Sequence, residues 1–256
     1  MFKITNLISH FAGRAAYCKL PAPFSTLSVK AFAKFYKIDV AEAAKPLSEY
    51  RTIGDFFIRD LKPDARAIEN GVVSPVDGRL RNFGKIEDDT IEQVKGRNYS
   101  ISDLVSDKRY ADHFMNGDFF NLYLSPQNYH HIHAPFGGEI IDVIHVAGSL
   151  LPVNDWALNR YDNLFTRNER LIVILKTDLG LLAVIMVAAL NVGGISLQYK
   201  EGVSGSKILS AGDKMATFKL GSTVVLLFEP DRITPLPLKA GQLLKYGESI
   251  ATIKSV

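Results

Sequence analysis

The chain has 256 residues, 47% of them hydrophobic, with one cysteine and a formal net charge of +3. This length and composition suit one domain, or one domain with an appendage, with enough apolar residues for a full core. A lone cysteine, Cys18, excludes an internal disulfide framework and a cysteine-rich zinc site.

The basic character belongs to the N-terminus. Residues 1–38 contain Lys3, Arg14, Lys19, Lys30, Lys34 and Lys37 and neither Asp nor Glu, so the remainder is net acidic. In the first 17 residues Ile4, Leu7, Ile8, Phe11 and Ala15 recur at helical spacing, with Lys3, His10 and Arg14 elsewhere around the helix. Pro21 and Pro23 separate this segment from a second, where Val29, Phe32 and Phe35/Tyr36 form an apolar stripe beside Lys30, Lys34 and Lys37. Basic amphipathic helices carrying aromatic residues fit an interfacial membrane contact. They also fit plain packing onto a domain. Lys3, His10 and Arg14 interrupt any signal-peptide apolar region. The acid-free stretch remains compatible with a mitochondrial targeting segment, though arginine is sparse. The longest apolar run, Leu181 to Leu190, is half the ~20 residues needed to span a bilayer. The expectation is a protein that lies on a membrane without crossing it.

After residue 70 the texture becomes β. "LIVILKT", "LLAVIMVAAL", "STVVLLFEP" and "SIATIK" read as strands, with Gly, Pro, Asn and Asp between them. Glycine-spaced stretches such as "SAGDKMATFKLGS" and "KAGQLLKYGESIATIK" suit short strands and tight turns. Residues 98–118 read as helix and loop. The predicted fold is α+β: an amphipathic helical layer over residues 1–70 on a mainly β, barrel-like sandwich forming a catalytic body over 71–256.

Three stretches hold more polar machinery than a core needs. "SPVDGRL" sets Asp77 between hydrophobic residue and glycine at a turn, where a structural role is the ordinary one. "SPQNYHHIHAPFGG" concentrates His130, His131 and His133; in a strand, His131 and His133 share one face and His130 takes the other. "FKLGSTVVLLF" places Gly221, Ser222 and Thr223 at the mouth of a core strand. These are the ingredients of a Ser–His–Asp arrangement, a nucleophile, a base and a carboxylate that orients it. Sequence separation neither supports nor opposes their meeting.

The segments "SPVDG", "YLSPQNYHHIHAPFGG", "NLFTRNERL" and "FKLGSTVVLLF", in that order, closely resemble the phosphatidylserine decarboxylase family of pyruvoyl enzymes, and the resemblance runs from about "FAKFYKID" to the C-terminus. It implies self-cleavage between Gly221 and Ser222 into a β chain of residues 1–221 and an α chain of residues 222–256. Ser222 would become the covalent pyruvoyl cofactor, with no metal. By the same resemblance Asp77, His133 and Ser222 form the cleavage triad, and His130 serves the decarboxylation cycle by returning a proton. His131 is given no role. The implied reaction is conversion of phosphatidylserine to phosphatidylethanolamine and CO₂ through a Schiff base. The implied setting is peripheral, on the cytoplasmic face of a bacterial inner membrane, with residues 1–38 on the lipid. A homodimer and no nucleic-acid partner are also implied.

Two other classes fit parts of the sequence. A zinc-dependent hydrolase could use the His131/His133 pair, but His113 and Asp118 are five apart and His145 has no matching acid, so that site is incomplete. A carrier module, suggested by the glycine spacing, needs a lysine at a hairpin tip, and none stands out.

Overall fold

The computed structural model describes residues 16–94, 97–189, 195–198, 207–219 and 222–254. Residues 1–15, most of the first predicted helix, and Gly221 of the expected cleavage site lie outside the described residues. The N-terminal part holds helices α1 (Ala22–Phe35) and α2 (Ile53–Phe57). Helices α3 (Ile101–Val105) and α4 (Lys108–Phe114) occupy the stretch expected to be helical, followed by α5 (Asp155–Arg160) and α6 (Leu164–Arg167).

The strands run β1 (Val72–Val73), β2 (Gly78–Lys85), β3 (Thr90–Val94), β4 (Arg97–Ser100), β5 (Asp118–Leu124), β6 (His131–His133), β7 (Gly138–Val146) and β8 (Arg170–Thr177). They continue with β9 (Gly180–Ala188), β10 (Ile195–Leu197), β11 (Lys207–Leu209), β12 (Lys214–Phe218), β13 (Ser222–Phe228), β14 (Ile233–Pro235), β15 (Leu243–Leu244) and β16 (Ser249–Ile253). Eight of them form one sheet in the order β11-β7-β8-β9-β13-β5-β2-β15. Smaller sheets are β10-β12-β6, β1-β16-β14 and the hairpin β3-β4. The α+β expectation holds. The barrel-like element does not close: the large sheet is open, and its edge strands, of 3 and 2 residues, do not pair with each other.

Alternation along the central strands builds two cores, one on each face of the large sheet. Val224, Leu226 and Phe228 of β13 join Val184 and Met186 of β9 in one cluster; that cluster also takes Ile132 of β6 and Met215, Ala216 and Phe218 of β12. Val225 and Leu227 face the other cluster, with Leu104, Phe114, Leu158 and Phe165 from helices α3 to α6. Because successive strand residues point to opposite faces, Ser222 shares the side of Val224. It therefore faces the layer that carries the histidines.

Helix α1 is two-faced in a way that differs from the expected stripe. Val29 and Ala33 are buried, and Phe32 and Tyr36 pack with them against Tyr50 and Phe56. Phe35 points outward at 78% exposed, in line with Phe24 and Leu27 at 61% and 64%. The inward half of the stripe anchors the helix, and a second apolar line is left uncovered. No helix among the described residues is long and apolar enough to cross a membrane.

Candidate active site

Ser222 opens β13 and is flanked on both sides, pairing in register with Leu124 of β5 and Ala188 of β9. It is fully buried, and its hydroxyl has no hydrogen-bond partner among the described residues. A buried polar atom without a partner costs free energy, so natural folds rarely keep one without a reason. Its neighbour Ala188 is fixed by Asn168, whose Nδ2 donates to the carbonyls of Ala188 and Leu151 at 2.8 Å each, while its Oδ1 accepts from Leu151 N–H at 3.0 Å. Asn168 lies in the "NLFTRNERL" segment. That segment thus holds the strand beside Ser222 in place.

The histidines arrive on β6, which pairs with β12, the strand leading to Ser222. Phe218 N–H donates to the His130 carbonyl at 2.9 Å, tying the start of the histidine strand to a residue four before Ser222. His130 is fully buried and donates from Nδ1 to Asn128 O at 2.8 Å; its Nε2 has no partner among the described residues. Burial lowers its pKa from 6.5 to about 3, so the ring is neutral and Nε2 carries a free lone pair. Phe57 of α2 packs on this ring with centroids 3.9 Å apart.

His131 and His133 share the opposite face, as alternation requires. His131 bridges layers, with Nδ1 on Thr217 Oγ1 at 2.7 Å and Nε2 on Ile58 O at 3.0 Å. Burial, helped by Lys214, lowers its pKa to about 4. His133 donates from Nδ1 to Gly212 O at 2.6 Å, and Nε2 meets the Tyr129 hydroxyl at 3.2 Å. Gly212 supplies that carbonyl from a turn with φ +86°, a conformation that favours glycine. The His133 ring also stacks on Tyr246, 3.9 Å between centroids and 6° between planes. Burial pulls its pKa down, while the Gly212 carbonyl and the Asp77 charge push it back.

Asp77 ends the turn before β2 and is buried. Its carboxylate takes Arg66 Nε at 3.2 Å, Arg66 Nη2, and the Tyr246 backbone N–H at 2.9 Å. Arg66 also grips Glu42 through both terminal nitrogens, at 2.9 and 2.8 Å. Gly78 follows because a Cβ there would stand 2.8 Å from Tyr123 O on β5. Asp77 and His133 are therefore linked through Tyr246, held by its backbone on one and its ring on the other, rather than by a direct hydrogen bond. No hydrogen bond joins Ser222 to either of them.

The structure links His133 and Asp77 through Tyr246 and ties His130 by its backbone to Phe218, four residues before Ser222, with no hydrogen bond from any of the three to the Ser222 side chain. It adds Tyr129, Tyr246, Arg66 and Arg59, which the sequence did not single out. Tyr246 stands in the stretch "KAGQLLKYGESIATIK", just before Gly247, and Arg59 in "FFIRDL", but nothing local marks their contacts. His131 and His133 belong to no group of three or more candidate metal ligands among the described residues.

At the end of the central strand Ser222 keeps a buried hydroxyl with no hydrogen-bond partner among the described residues, and His130 is a buried, neutral imidazole. Comparison with known proteins gives the family. Residues 53–252 match the family described as phosphatidylserine decarboxylase. The phosphatidylserine decarboxylase proenzyme of Brevibacillus brevis is 38% identical over 252 residues, covering 91% of this chain and 90% of the relative. Those of Citrobacter koseri and Salmonella paratyphi B are 40% and 39% identical, covering 88% of this chain and 77% and 78% of the relatives. The chain belongs to the phosphatidylserine decarboxylase family, and so to the carboxy-lyases.

Proposed function

We propose that this chain is a proenzyme that cuts itself between Gly221 and Ser222 and then decarboxylates phosphatidylserine to phosphatidylethanolamine and CO₂. The observation that carries the reading is the Ser222 hydroxyl, buried and unbonded at the mouth of the central strand. Attack of its oxygen on the residue-221 carbonyl carbon turns the peptide bond into an ester. Loss of the Ser222 α-proton breaks the Cβ–Oγ bond and leaves residue 221 with a carboxylate. The dehydroalanyl end takes up water and releases ammonia, and the products are chains 1–221 and 222–256. The pyruvoyl group so formed supplies an electrophilic carbonyl for the lipid amine and a sink for the electrons freed as CO₂ departs. The buried surroundings of Ser222 fit that group, because they exclude water from a reactive carbonyl.

His133 is the base of the cleavage step, Asp77 stabilises its charged form, and His130 returns a proton to the substrate carbon. A serine hydroxyl of ordinary pKa needs such a base. The Asp77 charge, which raises the His133 proton affinity, supports the pairing. A second reading assigns the cleavage base to His130, favoured by its open Nε2 where that of His133 meets Tyr129. A denaturing gel separates them. On the first reading Ser222→Ala, His133→Ala and Asp77→Ala stay uncut while His130→Ala splits; on the second, His130→Ala stays uncut and His133→Ala splits. A Ser222→Ala chain that still splits defeats both.

The enzyme works peripherally, on the cytoplasmic face of a bacterial inner membrane and as a homodimer, with residues 1–38 on the lipid. Exposed Phe24, Leu27 and Phe35, beside Lys30 and Lys34 on α1, support the lipid contact. Replacing the three apolar residues with serine is expected to reduce sedimentation with anionic liposomes. Unchanged sedimentation removes α1 from that surface.

A further inference from the structure

Arg59 makes no ion pair among the described residues; its guanidinium lies over the Phe56 ring, 5.2 Å from the centroid. It follows α2 and is 4% exposed. Only Nη2 is engaged, donating to Gln127 O at 3.0 Å and more weakly to Asn128 O at 3.4 Å. Nε and Nη1 are buried without a partner among the described residues. Burying a cation unpaired is among the most unfavourable arrangements a fold can keep, and it depresses this guanidinium's proton affinity.

Its position gives the orphaned charge a use. Asn128 O accepts from both Arg59 and His130, so guanidinium and imidazole meet at one carbonyl. On its other side Arg59 lines a cavity of about 310 Å³ with Lys45, Tyr50 and Arg51. Of the acids in that wall, Asp60 is held by Lys214 at 2.8 Å, leaving Glu49 and Asp55. The wall thus offers the cations of Lys45, Arg51 and Arg59 beside the carboxylates of Glu49 and Asp55, and Arg59 shares the Asn128 carbonyl with His130, the histidine whose backbone ties to the Ser222 segment.

We propose that Arg59 binds the phosphodiester of the lipid headgroup, an inference that rests on the reading of Ser222 as the centre of serine-phospholipid decarboxylation. Such a substrate carries two anions. The carboxylate leaves as neutral CO₂, so a cation bound to it would stabilise the ground state more than the transition state and slow the reaction. The phosphodiester keeps its charge throughout. A guanidinium anchored by one nitrogen, with donors left on the other two, suits phosphate oxygens, and a desolvated charge binds them more strongly than a hydrated one.

Two measurements test this. In cut protein, Arg59→Gln is expected to raise KM for phosphatidylserine about tenfold or more with kcat changed far less, and Arg59→Lys to fall between, because a phosphate contact is the same in ground and transition states. A fall in kcat with KM unchanged overturns the assignment. The second uses uncut Ser222→Ala protein, where no turnover occurs, and follows glycerophosphoserine by calorimetry, with free serine and inorganic phosphate as comparisons. Expected is binding of glycerophosphoserine well above both, lost on adding Arg59→Gln. Equal binding with and without Arg59, or none in either protein, overturns the proposal; inorganic phosphate binding as well as glycerophosphoserine marks a general phosphate site and also counts against it. If wild-type protein neither cuts nor decarboxylates, the proposed function fails while the calorimetry still reports on Arg59.

Discussion

Two buried arginines show how differently this fold treats the same side chain. Arg170, 2% exposed, uses all three nitrogens: Nε on Leu104 O at 2.6 Å, Nη1 on Thr166 O and Asn168 O at 2.7 and 3.1 Å, and Nη2 on Asp103 O and Ser106 Oγ at 2.6 Å each. Arg59, 4% exposed, uses one nitrogen and leaves two bare. Beside Arg170 stands Asn168 with its amide fully bonded; beside Arg59 stands His130 with Nε2 open. Arg170, with every donor used, holds helices α3 and α6 to the sheet; Arg59, with two nitrogens unpartnered among the described residues, is the one proposed above to meet the substrate.

The comparison breaks most readily at the arginines themselves. Arg170→Met is expected to lower unfolding free energy in urea by about 3–5 kcal/mol, since it strands several buried carbonyls. Arg59→Met is expected to leave stability nearly unchanged or higher. An equal loss at both sites would make Arg59 a structural residue. The same contrast recurs in the neighbouring pair. Asn168→Ala should cost about 2–4 kcal/mol and slow cleavage by loosening Ala188 beside Ser222, whereas adding Ser222→Ala to the uncut His133→Ala chain should change stability by less than about 0.5 kcal/mol, because its hydroxyl has no partner among the described residues.

A catalytic rather than structural role for His130 predicts that His130→Ala still splits but decarboxylates about a hundredfold or more slowly, the range typical of a lost general acid. Near-normal turnover by split protein would remove it from the cycle. The smallest effect is in pH. His130 and His131 have pKa values lowered from 6.5 to about 3 and about 4, so below pH 6.5 the unfolded chain binds protons that the fold refuses. Stability therefore falls as pH drops from 6.5 toward 4. In thermal melts His131→Gln should flatten this slope, and an unchanged slope would show that other groups set it.

Much of this was legible in the chain. The run Val224 to Phe228 announced a fully buried strand, and the alternation of His130 against His131 and His133 fixed which imidazoles share a face. The open sheet was not legible, because glycine-spaced short strands look the same whether a sheet closes or not; closure depends on edge pairing over long separations. Phe35 was assigned to a single apolar stripe with Val29 and Phe32, yet the helix has two apolar lines, and only packing reveals which one is covered. Arg59, Tyr129 and Tyr246 carry no local signature. Arg59 meets Asn128 from 69 residues away, and Tyr246 N–H reaches Asp77 across 169, so their part in the site exists only once the layers are assembled.

The central claim is that the open hydroxyl of Ser222 turns one chain into two, and intact-mass spectrometry of the purified wild-type protein tests it most directly. The account predicts a chain of residues 1–221 and a chain of residues 222–256 lighter by one ammonia than a serine-terminated peptide, while Ser222→Ala gives a single full-length mass. A single 256-residue species in a preparation that decarboxylates phosphatidylserine, or a small chain that retains an intact N-terminal serine, would contradict it.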